Sequence, residues 1–536
     1  MKLNRVVSTF AVALLLLSSL AVSAGAQDVV ELQSLNPAPA VADYTTMVNE
    51  NPGSYIVELA SAPAAEGTAK ATLKAEKDAF RKAAKQNGID LAERYAFDEL
   101  VNAISIQMDP AQLPALKRLP GVKAIWPNVT VARPDVAAVP AEPDLYTAIN
   151  MTGAGIVQSE LGYTGKGVKV AVMDTGIDYD HPDLGGGFGP GYRVVTGYDF
   201  VGDAFNADST SPLYNPVTLP DPFPDDCGGH GSHVAGIIGA NGAVKGVAPE
   251  VTFGAYRVFG CEGSTNSDIM IAAMERAYAD GMQILNMSIG SSFQWPEYPT
   301  AKAASRLVNK GMVVVASIGN SGANGLYAAG APGTGDKVIG VASFENSHIF
   351  LPEFTVSPDG MKVGYTNATA APLAPLTGTF DLTRTGSQTV ANDGCAALPA
   401  GSLAGKLVLI RRGTCGFYNK ALNAQNAGAI GVVLYNNQAG SVNPTVAPVA
   451  PLTTPITIPV VMISQVQGNM IDSRLAAGPV TMTWTETKGS YPNSLGGRIA
   501  TSSSYGLAPD LSLKPDIGAP GANIYSTYPL EKGGYA

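Results

Sequence analysis

A carboxylate follows directly on a short apolar run that predicts a buried strand. Residues 168–173 form the run, and Asp174 comes next, ahead of Thr175 and Gly176. In open α/β folds the carboxyl ends of the strands form the edge at which ligands bind, so this pattern places Asp174 at such an edge. A strand-end aspartate more often forms an Asx turn or a helix cap, and Asp174 alone predicts no function.

A histidine flanked by glycines is the second residue that could do chemistry. In the run Gly228-Gly229-His230-Gly231, the imidazole stands at the start of an apolar helix with one edge exposed. A general base needs this setting, because it must be neutral near pH 7, reach a nucleophile and be oriented by a carboxylate. Metal ligation and helix capping are the alternatives, but the chain has only four histidines and no matching carboxylate cluster.

An asparagine after another apolar run is the third candidate. Residues 313–317 predict a strand, and Gly319-Asn320-Ser321-Gly322 follows it closely. An amide side chain held there could donate a hydrogen bond to a developing oxyanion. In isolation, Asn320 would be interpreted as a turn residue.

Alternating strands and helices must position these three side chains. Such alternation predicts a parallel sheet with helices on both faces. The predicted strands are residues 168–173, 251–258, 283–289, 311–317 and 338–342, and the predicted helices are 234–238, 268–280 and 301–309.

Two further modules flank or interrupt this pattern. Residues 54–131 predict strands at 55–59, 103–106 and 122–126 and helices at 70–86 and 110–119, which indicates a β-α-β-β-α-β, ferredoxin-like module. A proline-containing linker, residues 132–150, follows it and is open to proteolytic nicking. Residues 350–488 form a strand-rich insert between residues 160–349 and 489–536 of the α/β part.

The N-terminus has the layout of a secretory signal peptide. Lys2 and Arg5 precede an apolar stretch, and small residues end at Ala26, which predicts removal of residues 1–26. A net charge of −10 gives no reason to expect nucleic acid or an anionic membrane as a partner. A length of 536 residues predicts two to four domains, and we expect a soluble, secreted monomer.

Four cysteines in an exported chain predict two disulfides. Three connectivities are possible, and we favour the sequential one because it keeps each bridge within one domain. It pairs Cys227 with Cys261 and Cys395 with Cys415. No C-x-x-C spacing occurs, which argues against a zinc site.

Taken together and in this order, the Asp174, His230 and Asn320 segments resemble the subtilase family of serine proteases, from about Gly165 onwards. The resemblance implies a subtilisin-like doubly wound parallel sheet. It also implies that Asp174 orients the base, that His230 is the general acid/base, and that Asn320 donates to the oxyanion. No cofactor is implied, and structural calcium is possible.

The resemblance assigns further residues and modules. Ser288, Ile289 and Gly290 resemble the segment that pairs with the substrate backbone and walls the specificity pocket, whereas His181 and His233 resemble structural positions. Residues 54–131 resemble an inhibitory propeptide, which would act as an intramolecular inhibitor. The insert resembles a protease-associated domain.

Two departures from the family pattern matter. Ser232 replaces the more usual threonine, and the nucleophile motif Gly-Thr-Ser-Met-Ala does not occur in the 536 residues. Because residues 510–521 resemble the segment that leads into this motif, we expect the serine soon after Ala536 and no turnover by residues 1–536 alone. The predicted function is a secreted endopeptidase precursor acting on proteins or peptides. The alternative is a non-catalytic secreted scaffold that binds proteins through the insert.

Overall fold

The computed structural model describes residues 50–136, 145–439, 443–448, 450–451 and 453–536. The predicted signal peptide lies outside these residues, as does part of the linker, residues 137–144. Across the described ranges, no helix combines the length and apolar character needed to cross a membrane.

The N-terminal module is an antiparallel sheet backed by a helix. Its strands lie in the order β2-β3-β1-β4, and the apolar residues of α1, among them Phe80, pack on the sheet with Val57 and Ile104. The predicted β-α-β-β-α-β order is confirmed, although the sequence did not single out β2. The elements are β1 (Glu50–Leu59), α1 (Lys70–Gln86), β2 (Leu91–Phe97), β3 (Ala103–Met108), α2 (Leu113–Leu116) and β4 (Val122–Ala132).

The α/β part follows in the alternation that the sequence predicts, with four additional strands, β6, β8, β10 and β12. Its elements up to the insert are α3 (Leu145–Thr152), α4 (Ala154–Glu160), β5 (Lys169–Asp174), β6 (Val194–Asp199), α5 (His230–Gly239), β7 (Thr252–Arg257), β8 (Ser264–Asn266), α6 (Ser267–Ala279), β9 (Ile284–Met287), β10 (Ser291–Ser292), α7 (Pro299–Asn309), β11 (Val313–Ser317), β12 (Gly330–Ala331) and β13 (Ile339–Glu345).

The insert forms its own mixed sheet, in the order β15-β14-β21-β17-β18-β19-β20-β16. Leu409 and Val408 belong to two different apolar clusters, because successive side chains of a strand point to opposite faces. Both faces of this sheet are therefore buried. The elements are β14 (His348–Val356), β15 (Met361–Gly364), β16 (Thr366–Asn367), β17 (Thr379–Arg384), β18 (Leu407–Arg411), α8 (Phe417–Asn426), β19 (Gly431–Tyr435), β20 (Val460–Ile463), α9 (Gln465–Ala477) and β21 (Val480–Pro492).

A last strand, β22 (Ile517–Ala522), returns to the α/β part and completes a parallel sheet in the order β22-β13-β11-β9-β5-β7-β6. Val172 and Met173 lie in separate apolar clusters, so both faces of β5 are buried. Since β5, β9 and β11 are parallel neighbours, the segments that follow them meet at one edge of the sheet. Asp174 is the last residue of β5, and the segments after β9 and β11 carry Ser288 and Asn320.

The strand β4 links the N-terminal module to the α/β part. The sequence predicted a strand over residues 122–126, but β4 continues to Ala132. Its last three residues pair antiparallel with β8, so the extension comes from a contact distant in sequence. Local propensity cannot predict such a contact.

Candidate active site

The centre of the site is a hydrogen-bonded pair of side chains at the edge of the sheet. His230 Nδ1 lies 2.7 Å from Asp174 Oδ1, and the same oxygen accepts the N–H of Thr175 at 2.8 Å. Asp174 is fully buried, and its Oδ2 has no hydrogen-bond partner among the described residues. Burial disfavours the charged imidazole, but the charge and hydrogen bond of Asp174 outweigh burial and raise the pKa of His230.

Glycines allow the helix that carries His230 to approach the strand that carries Asp174. A Cβ on Gly231 would lie 2.0 Å from the carbonyl oxygen of Gly176. Gly229 has a φ of +108°, and a Cβ there would lie 2.2 Å from the ring of Tyr528. These two positions therefore need glycine.

Asp226 holds the start of the same helix, and the sequence analysis did not identify it. Its Oδ1 accepts the N–H groups of Gly228 and Gly229 at 2.9 and 2.7 Å, and its Oδ2 accepts both the N–H and the hydroxyl of Ser232. Ser232 Oγ also accepts the N–H of Asp178 at 2.8 Å. An acidic residue just before the first helical turn is a capping signal, and this pattern could have indicated Asp226.

The two other histidines of this region bond to backbone groups. The Nε2 of His233 lies 3.2 Å from the carbonyl oxygen of Ile524, and the Nε2 of His181 lies 2.8 Å from that of Gly534. Burial and the charge of His230 lower the pKa of His233 to about 4. His233 therefore stays neutral beside the candidate base.

Asn320 lies at the same edge of the sheet, after β11, with an exposed side chain. Its neighbours are held by Ser504, a fully buried residue that the sequence analysis did not identify. Ser504 Oγ accepts the N–H of Ser321 at 3.0 Å, and the Ser504 N–H donates to the carbonyl of Gly319 at 2.8 Å. The turn is thus positioned on both sides of Asn320.

Ser288, Ile289 and Gly290 follow β9 but are not part of it. The predicted strand over residues 283–289 is too long, because β9 ends at Met287. A Cβ on Gly290 would lie 2.6 Å from the carbonyl oxygen of Ala331, so the backbone packs closely there. The strand β8 pairs with the N-terminal module, and the sequence analysis did not assign β8 to the site.

Two disulfides join the cysteines in the sequential pairs that the sequence favours. Cys227 bonds Cys261 and thereby links the segment before His230 to the segment before β8. Cys395 bonds Cys415 inside the insert.

A buried arginine packs on the first disulfide. Arg257 Nη2 lies 2.8 Å from Asp203 Oδ1 and 3.0 Å from Cys227 Sγ, and its Nη1 lies 3.3 Å from Asp199 Oδ2. In the described part of the chain, the one group with metal-ligand spacing is Asp203 with Cys227 and Cys261. Its sulfurs are bonded to each other and cannot act as thiolate ligands, so these residues do not fit a metal site.

Comparison with known proteins adds the family context. The model of the subtilase family matches residues 165–535, and the model of the peptidase inhibitor I9 family matches residues 54–133. The minor extracellular protease Vpr of Bacillus subtilis is 34% identical over 81% of this chain and 51% of its own length. The PI-type proteinase of Lactococcus lactis subsp. cremoris is 30% identical over 88% of this chain and 27% of its own length.

The chain thus spans about half of the first relative and about a quarter of the second. Among solved structures, a psychrophilic subtilisin-like protease from Pseudoalteromonas sp. AS-11 is similar with a TM-score of 0.40 and 21% identity, over 65% of this chain and 83% of that chain. This likeness is too distant to add to the family match.

Proposed function

The chain belongs to the subtilase family of serine proteases, and on this premise we propose that it is the precursor of a secreted endopeptidase. The observation that carries the proposal is the 2.7 Å hydrogen bond between His230 Nδ1 and Asp174 Oδ1. The predicted signal peptide at residues 1–26 supports export, as does the name of the extracellular relative in Bacillus subtilis.

His230 acts as the general base and then as the general acid. It accepts the proton of a serine hydroxyl as that oxygen attacks the peptide carbonyl, and it returns the proton to the leaving amine. Water then hydrolyses the acyl-enzyme by the same two proton transfers in the second half of the reaction. Asp174 fixes the ring and stabilises the imidazolium, a role that the raised pKa of His230 supports.

Asn320 donates to the oxyanion of the tetrahedral intermediate, and Ser288, Ile289 and Gly290 line the substrate. Ser288, Ile289 and Gly290 follow β9, the neighbour of β5, and Asn320 follows β11, the next strand in the sheet. They therefore lie at the same sheet edge as Asp174. Preorganised donors at such an edge stabilise charge that appears only in the transition state.

The N-terminal module is the intramolecular inhibitor of this site. Residues 130–132 pair with the edge of β8 to which a peptide substrate would add as a strand. Asp268 of α6 is fully buried and accepts hydrogen bonds from Arg94 at 2.8 Å and Ser105 at 2.7 Å. Removal of the module is therefore required before a substrate can bind.

Maturation tests this function. In a form of the protein that carries the family's Gly-Thr-Ser segment, we expect intramolecular cleavage between about residues 132 and 149. N-terminal sequencing of the mature protein should find its new first residue in that window. The His230→Ala variant should accumulate with residue 27 as its first residue, whereas His233→Gln should still mature.

Two results would contradict the proposal. A fully active protein that begins at residue 27 would mean that residues 54–131 are not a removable inhibitor. A complete protein that binds peptides without cleaving them would favour the non-catalytic scaffold.

A further inference from the structure

The edge at which β4 and β8 meet shows how the chain contacts an extended peptide. Val131 lies opposite Thr265 in the antiparallel register. The backbone of Ser264 faces the other way, because its N–H donates to Asn206 Oδ1 at 3.1 Å and its carbonyl accepts the Ala207 N–H at 2.9 Å. By the alternation of strand hydrogen bonds, Val131 and Thr265 form the hydrogen-bonded pair of this ladder.

The side chains of this pair differ in polarity. Directly opposite residues of antiparallel strands place their side chains on the same face, within contact distance. Thr265 is fully buried and Val131 is 1% exposed, yet Thr265 Oγ1 has no hydrogen-bond partner among the described residues. A buried hydroxyl without a partner destabilises the structure, and valine offers only methyl groups to it.

The same molecule contains a related threonine pair. Thr379 and Thr483 lie opposite each other in β17 and β21, and their hydroxyl oxygens are 2.8 Å apart. They form a non-hydrogen-bonded pair, since the Trp484 N–H next to them donates to the Gly378 carbonyl at 2.9 Å, and the side chains of such a pair lie closer than those of Val131 and Thr265. Opposed threonines on antiparallel strands of this chain therefore do form a hydrogen bond.

We propose that Thr265 is a specificity-determining residue that selects peptide substrates with threonine at the position where the precursor has Val131. The proposal rests on the function proposed above. Val131 belongs to the large apolar cluster that includes Ile269, Met270 and Ile289, so the position favours a β-branched side chain with a methyl group. Threonine keeps one methyl and adds a hydroxyl that can pair with Thr265 Oγ1.

Residues 130–132 of β4 should accordingly bind β8 more weakly than the preferred substrate does. They cover Thr265 without satisfying its hydroxyl, and a threonine-containing peptide would cover the same site with one more hydrogen bond. Asn266 lies on the opposite face of β8, and its side-chain amide also has no hydrogen-bond partner in the described part of the chain. It lies opposite Thr130, which already has a hydroxyl. The proposal therefore concerns the Thr265 face alone.

A double-mutant cycle in the intact 536-residue chain tests the contact without any turnover. The variants are Val131→Thr, Thr265→Val and the two combined, and the measurement is hydrogen exchange of the backbone amides of residues 129–132. We expect Val131→Thr to slow exchange about threefold to tenfold, the range that a cross-strand threonine pair and relief of a buried hydroxyl allow. Thr265→Val should leave exchange unchanged or slower in the valine background, but faster in the Val131→Thr background.

A general packing effect would change amide exchange in the same direction in both backgrounds. An effect of Thr265→Val that depends on the residue at position 131 therefore indicates the proposed pairing. Ala132→Ser is the matched control, since it adds a hydroxyl to an exposed residue of the same strand and should not change exchange. Equal effects of Thr265→Val in both backgrounds would overturn the proposal.

Substrate profiling tests the consequence for catalysis. A protein that carries the nucleophile segment is given two peptide series, in which a single threonine or valine moves through the positions before the cleaved bond. At one position we expect kcat/KM to be about threefold to tenfold higher for threonine, and this preference should disappear in Thr265→Val. A preference unchanged in Thr265→Val overturns the proposal. A complete absence of cleavage contradicts the proposed function instead, and the exchange cycle then still decides the contact.

Discussion

The two sides of the candidate site are held in different ways. On one side, His230 and Asp174 contact each other directly, and the fully buried carboxylate accepts two hydrogen bonds on one oxygen. On the other side, Asn320 has an exposed side chain, and only its backbone neighbours are fixed. The first side is organised through side chains and the second through the backbone.

This difference follows from what each group does in the proposed reaction. The base must keep one orientation through two proton transfers, so a carboxylate partner is needed throughout the reaction. An oxyanion donor meets its acceptor only in the transition state, so it can stay exposed to water beforehand. Substitutions on the two sides should therefore differ in size and in kind.

The largest effect is expected for His230→Ala. Without the imidazole no group moves the serine proton, and we expect kcat to fall by about a million-fold, the size found for the corresponding loss in subtilisin. The measurement is peptide hydrolysis by a mature protein that carries the nucleophile segment, with the N-terminal module cleaved by an added protease.

Asp226→Asn serves as the comparison on the same side. It keeps one acceptor oxygen for the helix start, and the hydrogen bonds of Asp226 go to Gly228, Gly229 and Ser232, although its charge contributes to the raised pKa of His230. It should lower kcat far less than His230→Ala does. Similar losses in both variants would contradict the assignment of His230 as the base.

Asn320→Ala should have the next largest effect. Loss of one oxyanion donor costs about 2.7–4 kcal/mol in transition-state stabilisation, the magnitude found for such a donor in subtilisin. We expect the loss in kcat with little change in KM, because the oxyanion that the amide stabilises is absent from the bound substrate and forms only during the reaction. An increase in KM alone would assign Asn320 to substrate binding instead.

His233 provides a test of the helix on the first side. Its pKa is about 4 in the folded protein and about 6.5 when unfolded, so the unfolded chain binds more protons between these values. This contribution to stability is complete above pH 6.5 and is lost as the pH falls toward 4, by at most about 3 kcal/mol. The Tm of the wild type should therefore fall more steeply below pH 6.5 than the Tm of His233→Gln, which cannot titrate. Parallel curves for the two proteins would contradict this prediction.

The sequence predicted the alternating strands and helices because apolar runs such as residues 168–173 need burial on both faces. It predicted the candidate residues because glycine-flanked histidine and strand-end aspartate are local patterns. It did not predict Ser504, which lies 184 residues beyond Asn320 and meets the turn because the chain returns to the sheet after the insert. It also missed the role of β8, because an edge strand of three residues has no periodicity to detect.

Ser504→Ala should give the smallest effect and shows whether the backbone side of the site is positioned as described. Removing Oγ takes away the acceptor for the Ser321 N–H, a loss of about 0.5–1.5 kcal/mol, which corresponds to at most about a tenfold lower kcat. Ser503→Ala is the comparison, because Ser503 Oγ accepts the Ser343 N–H of β13 and donates to the Ser504 carbonyl, but does not itself bond the Ser321 N–H. In an Asn320→Ala background, Ser504→Ala should no longer change kcat, since there is no amide left to position. An undiminished effect in that background would mean that Ser504 acts on the stability of the sheet edge and not through Asn320.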